Sequence, residues 1–600
     1  MPTVDRKARR YKTLAIAAAF LALTAGPSAA WDRFEIIEWQ PRDSTQMETL
    51  KKIGVTAVAA ISDRATNGAP SRERTAAARA AGLRWYVENM ATDFYAPYHK
   101  FTPGKEVNWR FVEAQSAWRA NPDDPAKLAR DPPLNDPVWR ARIGARLFAA
   151  VSDQKRFRPL YYSLGDETGI ADLSAYWDFD LSPVSVAGFR RWLRGQYGSL
   201  AALNAEWGTS YAAWDAVQPE STRAAMRRTD DNFAAWNDFK AWMDTAFADA
   251  VRFGTDAIHR ADPVALSAIE GGQMPGWGGY DYTKLAGTVD AMELYDMGDN
   301  VSIVRSLAPR LIPLATTFEA TPASIFQIWR AVLRGARGLI VWDEDNSLVR
   351  PDASPGPRAS AYAPVFAALR GDIGRRMQTA EPVYDDVAVL YSPPSFRIQW
   401  MLDHRAAADA WMERSAEIEN EDNAWRAALR DTVAALHRMG LRPRFVTPEQ
   451  LASGRVMQKV LILPDTLAMT EEEVGAVADA RRRGVRVLAD TPPGRFDGHG
   501  RAVTNRAVAA EIVPPADLPA ALKLKPRFPA TGAIDTFMFR QNGRFLLALQ
   551  QREPGTASVD ATVGLDGHRA RNIVSGRPVG ADGVVAVDPI VPTFLEIEDR

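Results

Sequence analysis

The chain has 600 residues, of which 46% are hydrophobic, and its formal net charge at pH 7 is −1. This length and composition, without a long biased tract, indicate a globular protein of about three or four domains. The near-neutral balance of charges gives no indication of nucleic-acid binding. The absence of cysteine excludes disulfides, thiolate nucleophiles and cysteine-ligated metal sites.

The first thirty residues have the pattern of a secretory signal. Basic residues are concentrated in the first twelve positions, an apolar run extends from Leu14 to Ala25, and small residues at 26–30 precede Trp31. The apolar run is shorter than the ~20 residues that a membrane-spanning helix needs. We therefore predict export to the periplasm or the medium, with cleavage before Trp31 and no stable membrane insertion afterwards. An uncleaved membrane anchor is the alternative.

Short apolar runs then alternate with helical patterns, which is typical of βα units around a parallel sheet. Residues 31–376 are predicted to form a (β/α)8 barrel, with a helical insertion at 172–260 after the fourth strand. The eight predicted strands lie near Phe34–Trp39, Ala57–Ile61, Leu83–Glu88, Leu160–Leu164, Ala265–Glu270, Asp290–Leu294, Leu311–Thr317 and Gly338–Trp342. Covering helices, recognised by apolar residues at i, i+3 and i+4, are predicted over Met47–Ile53, Arg74–Ala81, Val138–Ser152 and Ile325–Ala336.

Two smaller domains are predicted after the barrel. Residues 377–522 have a doubly wound α/β pattern, with apolar strands at Val387–Leu390, Val460–Leu463 and Val485–Ala489 around the amphipathic helix Trp425–Met439. This unit contains no glycine-rich phosphate-binding motif, so nucleotide binding is not indicated. Residues 523–600 consist of short alternating runs that predict a small antiparallel β-domain.

Two glutamates follow predicted barrel strands at positions suited to catalysis. The apolar run Tyr161–Leu164 stops at Gly165-Asp166-Glu167, and Glu319 follows the run Leu311–Thr317. In such barrels the carboxyl ends of the strands carry the chemistry. Cleavage of a glycosidic bond needs one carboxyl group to protonate the leaving oxygen and one to attack the anomeric carbon, ~5 Å apart in a retaining enzyme. A glutamate in this position is otherwise a helix N-terminal charge or a surface group.

The segment after the predicted fourth strand resembles a known family. FRRWLRGQYGSLAALNAEWGTSYAAWDAV, residues 189–217, is similar to the corresponding segment of glycoside hydrolase family 42, the bacterial β-galactosidases of the retaining (β/α)8-barrel clan. The resemblance covers about residues 31–500. It implies that Glu167 is the acid/base residue, which follows strand four in the clan, and that Glu319 is the nucleophile, which follows strand seven. Glu344, after the eighth predicted strand, is the competing candidate for the nucleophile.

The resemblance also implies roles for other parts of the chain. It identifies residues 377–522 with the trimerisation domain of the family, so the protein is expected to be a homo-oligomer, by analogy a trimer. Trp342 resembles the tryptophan that forms the floor of the sugar subsite. Tyr295, Trp277 and Glu88, at other predicted strand ends, are predicted substrate contacts. Further candidates, for which packing is the alternative, are the aromatic residues Trp177, Tyr280 and Tyr282 and the polar residues Glu38, Arg64, Asn89 and Glu270.

Two features depart from the family pattern. Many members have a cysteine-ligated zinc ion, whereas this chain has no cysteine and its six histidines lack metal-ligand spacing, so no metal or cofactor is predicted. The clan usually has asparagine before the acid/base residue, where this chain has Asp166. As a sugar ligand, Asp166 could accept a hydrogen bond from the 2-hydroxyl, and its negative charge would favour the protonated form of Glu167. The alternative is a neutral or outward-facing residue that only shapes the turn.

The sequence therefore predicts an exported retaining β-glycosidase, similar to β-galactosidases, that hydrolyses terminal β-linked sugars by a double displacement involving Glu167 and Glu319. A related enzyme specific for glucosides, mannosides or glucuronides is one alternative. A barrel that binds glycans without hydrolysing them is the other.

Overall fold

The computed structural model describes residues 31–40, 42–62, 70, 72–99, 109–122, 124–173, 177–276, 278–414, 418–419 and 423–598. The predicted signal segment and two of the candidate sugar contacts, Arg64 and Trp277, lie outside these residues. Among the described helices, none combines the length and the apolar character that crossing a membrane requires.

Eight parallel strands close into a barrel in sequence order, with β1 paired to β8. Each strand overlaps one of the eight segments predicted from the sequence, so the predicted (β/α)8 fold is confirmed. The strands are β1 Glu35–Glu38, β2 Ala57–Ile61, β3 Arg84–Glu88, β4 Tyr162–Ser163, β5 Ser267–Gly272, β6 Ala291–Leu294, β7 Ile312–Thr317 and β8 Gly338–Val341.

The inside of the barrel changes from apolar to acidic along its strands. Apolar side chains, among them Ile37, Tyr161 and Leu314, form a buried cluster within it. The rings of Tyr86 and Tyr161 stack there at a centroid distance of 4.3 Å. Acidic side chains follow towards the carboxyl ends of several strands, where a (β/α)8 barrel forms its site.

Helices cover the barrel and form a large insertion between β4 and β5. Their starts are set by local capping: Asp43 accepts a hydrogen bond from the Gln46 amide, and Thr321 caps the helix after β7. The helices are α1 Ser44–Ile53, α2 Arg72–Ala81, α3 Thr92–Tyr95, α4 Trp109–Ala120, α5 Pro137–Gln154, α6 Pro183–Tyr197, α7 Leu200–Trp207, α8 Thr222–Met226, α9 Ala234–Ala261, α10 Tyr282–Leu285, α11 Asn300–Leu307, α12 Pro322–Arg334, α13 Pro357–Arg370 and α14 Asp372–Thr379.

A second parallel sheet follows the barrel, in the strand order β11-β10-β12-β13-β14. The order reverses between β10 and β12, which makes this a doubly wound α/β unit, as predicted. Its elements are β10 Val387–Leu390, α15 Pro393–His404, α16 Ala424–Arg438, β11 Arg444–Val446, α17 Pro448–Ala452, β12 Val460–Leu463, α18 Glu471–Arg482, β13 Arg486–Ala489, β14 Glu511–Ile512 and α19 Leu518–Ala521.

The last part of the chain forms an antiparallel sheet in the order β18-β20-β16-β15-β9 and the two-stranded pair β17-β19. Its edge strand β9, Glu381–Pro382, comes from the connection between the barrel and the second sheet and pairs with β15. The other strands are β15 Ile534–Gln541, β16 Arg544–Gln551, β17 Val559–Thr562, β18 Ala570–Asn572, β19 Val584–Val587 and β20 Thr593–Ile597.

Candidate active site

The backbone after β4 holds Glu167 at the open end of the barrel. The Glu167 amide donates a hydrogen bond of 3.0 Å to the Glu270 carbonyl, and the Glu270 amide donates one of 3.1 Å to the Gly165 carbonyl. Glu167 has φ 48°, in the left-handed region that non-glycine residues rarely adopt. A Cβ atom on Gly271 would lie 2.5 Å from the Glu167 Cγ. Glycine at 271 is therefore required for this position of Glu167.

The Glu167 carboxylate is bound on two sides and still reaches solvent. The Tyr295 hydroxyl donates a hydrogen bond of 2.9 Å to Oε1, and the His99 Nε2 contacts Oε2. The side chain of Glu167 is 20% exposed. Burial, followed by the charges of Asp166 and Glu167, raises the pKa of the Tyr295 phenol well above its usual range, so this hydroxyl remains a donor. A carboxyl group held in this way can exchange a proton with a bound molecule.

Buried carboxyl groups surround Glu167. Glu293, on β6, accepts hydrogen bonds from the Thr316 hydroxyl at 2.5 Å and from the Gly271 amide at 3.1 Å. Burial, and next the charge of Asp166, raises the pKa of Glu293 from 4.5 to about 8. Burial and the neighbouring Glu88 raise the pKa of Glu270 well above its usual range. The site therefore carries less negative charge at neutral pH than its number of carboxyl groups suggests.

Asp166 and Glu88 are both part of this acidic layer. Asp166 is 3% exposed, which removes the outward-facing alternative for this residue. Its amide donates a hydrogen bond of 3.0 Å to the Asn89 Oδ1, and the Asn89 Nδ2 donates one of 2.9 Å to Glu88. Glu88 is fully buried. Asn89 thus ties the end of β3 to the loop that carries the predicted acid/base residue.

Glu319 lies two residues beyond the end of β7, and its side chain is exposed. Its carbonyl is fixed by the hydroxyls of Thr317, at 3.0 Å, and Tyr362. Within the described part of the chain, no hydrogen bond or ion pair engages the Glu319 carboxylate. This carboxylate is therefore accessible, whereas that of Glu293 is occupied by two donors.

Aromatic rings connect the two predicted catalytic residues. Phe318, which precedes Glu319, packs against Tyr295 at 5.5 Å and against Trp342 at 6.2 Å between ring centroids. Trp342 stacks on Trp39 at 4.4 Å. Since Tyr295 also binds Glu167, a continuous series of side-chain contacts joins the ends of β4, β6, β7 and β8.

An ion-pair network lies beside these tryptophans and was not predicted. Arg42 donates to Glu38 at 2.8 Å and to Asp343 at 2.5 Å, and all three side chains are buried. Burial raises the pKa of Glu38 to about 8 despite the charge of Arg42. Glu344, the competing nucleophile, is exposed in the loop after β8.

Three of the aromatic candidates for sugar contacts are packing residues instead. Trp177 is buried against Phe111, Trp118 and Trp411. The hydroxyl of Tyr280 donates to the Thr168 carbonyl, and that of Tyr282 donates to the Gln273 carbonyl at 2.6 Å. Both tyrosines are fully buried, so they support the loops of the site and offer no ring face to a sugar.

Sequence reasoning missed His99, Asp172 and Glu293. A single histidine in a loop after β3 carries no local signal, and its contact with Glu167 arises only from the fold. Glu293 lies within a predicted strand and could have been noticed as a charged residue in an apolar run. Among the described residues, no group of three or more His, Asp or Glu side chains has an arrangement that could hold a metal ion.

Comparisons with known proteins agree with the barrel fold and with the family resemblance of the sequence. The sequence profile of the Glyco_hydro_42 family, described as β-galactosidase, matches residues 161–299. Residues 161–299 are thus similar to the family 42 glycoside hydrolases. The match spans β4 to β6 and includes Glu167 and Tyr295, so the predicted relationship and the predicted enzyme class, a glycoside hydrolase, are confirmed. A search of curated proteins gives no match.

Solved structures of the family share the fold over almost the whole chain. Gan42B, a GH42 β-galactosidase from G. stearothermophilus, is 12% identical with a TM-score of 0.67, covering 95% of this chain and 98% of that one. The β-galactosidase from Bacillus circulans sp. alkalophilus is also 12% identical with a TM-score of 0.67, covering 94% and 98%. A GH42 exo-carrageenase from Bacteroides ovatus is 12% identical with a TM-score of 0.57, covering 94% and 80%.

Proposed function

We propose that the protein is a retaining β-glycosidase of β-galactosidase type that removes terminal β-linked sugars. The observation that carries this proposal is the series of contacts from Glu167, at the end of β4, through Tyr295 and Phe318 to the accessible Glu319 after β7. Two carboxyl groups from these strand ends, beside an aromatic surface, are what a double displacement requires. Gan42B and the Bacillus circulans enzyme are β-galactosidases, which supports galactosides as the substrates.

In the first step, Glu319 attacks the anomeric carbon while Glu167 gives its proton to the departing glycosidic oxygen. In the second step, Glu167 takes a proton from water, which attacks the same carbon and releases Glu319. The exposed carboxylate of Glu319 suits the nucleophile, and the donors around Glu167 suit a group that gains and loses a proton. Tyr295 holds one Glu167 oxygen throughout.

The charges of the site favour a neutral sugar. Glu88, Asp166, Glu270 and Glu293 are buried around Glu167, and the Arg42 guanidinium is paired with Glu38 and Asp343. A carboxylate on the sugar would be repelled by the ionised members of this layer. Among the alternatives from the sequence, a glucuronide is therefore disfavoured, whereas glucosides and mannosides differ from galactosides only in hydroxyl orientation.

A panel of nitrophenyl glycosides tests the proposal. We expect the mature chain to hydrolyse the β-galactoside faster than the β-glucoside, β-mannoside or β-glucuronide. Proton NMR of the first product should show the β anomer, because two displacements retain configuration. An α anomer as first product would contradict the double displacement. Binding of glycans without turnover of any member of the panel would support the non-catalytic alternative.

We also propose that the chain is exported through its N-terminal segment and that the second α/β domain mediates a homotrimer. The first part rests on the sequence pattern of residues 1–30, and the second on the resemblance of that domain to the trimerisation domain of the family. N-terminal sequencing of the protein from the producing cells should begin at Trp31. Light scattering should give three times the chain mass, and a monomer mass would contradict the assembly.

A further inference from the structure

His99 lies between two carboxyl groups at the open end of the barrel. Its Nε2 contacts the Glu167 Oε2, and its Nδ1 lies 2.8 Å from the Asp172 Oδ1. The exposed fractions of the three side chains are 12% for His99, 20% for Glu167 and 11% for Asp172. The contact is therefore largely sheltered from water, yet it includes the predicted acid/base residue.

The two loops that meet in this contact are fixed to each other elsewhere. The buried Arg130 donates to the Phe94 carbonyl at 2.9 Å on the His99 side and to the Ile170 carbonyl at 2.7 Å on the Glu167 side. The Gly169 amide donates a hydrogen bond of 2.9 Å to the Tyr95 carbonyl. The approach of His99 to Glu167 is therefore set by the buried backbone of both loops.

The order of groups determines where the protons lie. An ionised Asp172 can only accept, so Nδ1 of His99 carries a hydrogen, and Nε2 faces Glu167. One further proton then lies between Nε2 and the Glu167 carboxyl group. Two groups coupled this closely titrate as a pair, and the proton leaves the pair at a higher pH than it would leave a lone carboxyl group.

We propose that His99, held by Asp172, is a positioning residue that orients the Glu167 carboxyl group and stores the proton which Glu167 delivers to the leaving oxygen. The inference rests on the proposed glycosidase function. In the first step this proton passes to the glycosidic oxygen as the bond from C1 to that oxygen breaks and the bond from C1 to Glu319 forms. In the second step, the attacking water returns one proton to the pair.

Several other groups face Glu167 and remain in a His99 variant. Glu293 interacts with it by charge, Asp166 precedes it in the chain, and the phenols of Tyr280 and Tyr295 lie close to it. Both carboxyl groups disfavour ionisation of Glu167, and the Tyr295 hydroxyl favours it by donating to Oε1. Their effects are common to the wild type and the variant, so a difference between the two proteins reports on His99.

His99→Gln tests the proposal, because glutamine can still donate to Glu167 but has no titrating group. For a phenyl or alkyl glycoside, whose leaving group needs a proton, we expect kcat/KM to fall ~10- to 100-fold, which is less than the ~10²- to 10⁴-fold of a full general acid because Glu167 itself remains. For the 2,4-dinitrophenyl glycoside, whose leaving group needs none, the change should stay within about threefold. The basic limb of the pH–rate profile should also move to lower pH. Equal losses for both substrates with unmoved limbs would show a purely structural role and overturn the proposal.

His259→Gln is the matched control, because His259 is also paired with an aspartate, Asp290, at 2.9 Å, but at the opposite end of the barrel. His259→Gln should leave kcat/KM for both substrates and the pH–rate profile unchanged. If His99→Gln does not fold, Asp172→Asn should shift the basic limb in the same direction.

A measurement without turnover separates this inference from the proposed function. ¹⁵N NMR of the histidine rings should show the Nδ1–H form of neutral His99, with its ring protonated to higher pH in the wild type than in Glu167→Gln. An unchanged His99 titration in Glu167→Gln would overturn the shared proton even if the chain hydrolyses no glycoside tested. If the titrations of His99 and Glu167 are coupled but no glycoside is hydrolysed, the proposed glycosidase function is rejected and the shared proton is retained.

Discussion

In both the barrel and the second parallel sheet, the carboxyl ends of the strands lead into loops and helix starts. The polar residues at these strand ends have different roles in the two sheets. In the second sheet, Ser392, Thr447 and Thr470 follow successive strands and cap the helices there. In the barrel, the corresponding positions carry carboxyl groups, and some of these have strongly raised pKa values. Parallel topology supplies the edge in both sheets, and the residues on that edge decide whether it performs chemistry.

The largest expected effect is loss of turnover from the two predicted catalytic glutamates. Glu319→Ala and Glu167→Ala should each lower kcat by on the order of 10⁴-fold or more for a phenyl glycoside. Glu473→Gln is the control, because Glu473 occupies a capping box at the edge of the second sheet and glutamine suits that position. It should leave kcat unchanged. Equal losses of kcat in all three variants would contradict the view that the strand ends of the barrel carry the chemistry and those of the second sheet do not.

Azide distinguishes the roles of the two glutamates. In Glu319→Ala, azide can attack the anomeric carbon directly, so the rescued product should be the α-glycosyl azide. In Glu167→Ala, azide attacks the glycosyl-enzyme, so the product should keep the β configuration. NMR of the two products settles the assignment, and exchanged configurations would mean that the roles are reversed.

Gly271→Ala should displace Glu167 without removing it. The added Cβ would lie 2.5 Å from the Glu167 Cγ and 2.8 Å from its Cα, at a residue with φ +66°. Because small displacements of a catalytic group are costly, we expect kcat to fall ~100-fold. Gly287→Ala is the control, since its Cβ would meet no atom within 4 Å. Wild-type kcat in the folded Gly271→Ala variant would show that the position of Glu167 does not depend on this contact.

Asp166→Asn should shift the pH dependence of activity. A buried carboxylate next to Glu167 favours the protonated form of the acid, so its replacement should move the basic limb of the pH–rate profile downwards by on the order of one pH unit. Asp345→Asn, in an exposed loop after β8, should leave the limb in place. An unmoved or raised basic limb in the folded Asp166→Asn variant would leave Asp166 as a sugar ligand or a turn residue.

Glu293→Gln should change the pH dependence of stability. The pKa of Glu293 is about 8 in the folded state and 4.5 without the fold, so between these pH values the folded protein holds a proton that the unfolded chain has lost. The contribution of Glu293 to stability is therefore greatest below pH 4.5 and falls as pH rises towards 8, by up to ~1.4 kcal/mol per pH unit. Urea unfolding at pH 5 and pH 8 should show a smaller decrease in Glu293→Gln than in the wild type. The exposed variant Glu344→Gln should follow the wild type, and an equal decrease in Glu293→Gln would contradict the raised pKa.

The barrel could be predicted from the sequence because its strands lie in largely apolar runs that are buried on both faces. The strand β9 could not be predicted, since two residues at a sheet edge have no periodicity. Among the site residues, Glu167 and Glu319 follow from strand ends and the family resemblance. The role of Tyr280 as a support depends on hydrogen bonds to loop carbonyls. The role of His99 depends on the close approach of two loops. Neither feature leaves a pattern in the sequence.

Trapping with a 2-deoxy-2-fluoro-β-galactoside bearing a good leaving group tests the central claim most directly. The fluorine slows both steps, and the leaving group allows the first to proceed, so the glycosyl-enzyme accumulates if the enzyme is retaining. Mass spectrometry of a proteolytic digest should place one added fluorosugar on Glu319, and Glu319→Gln should take up none. An adduct on Glu293 or Glu344, or none in an enzyme that hydrolyses galactosides, would contradict the assignment of Glu319 as the nucleophile.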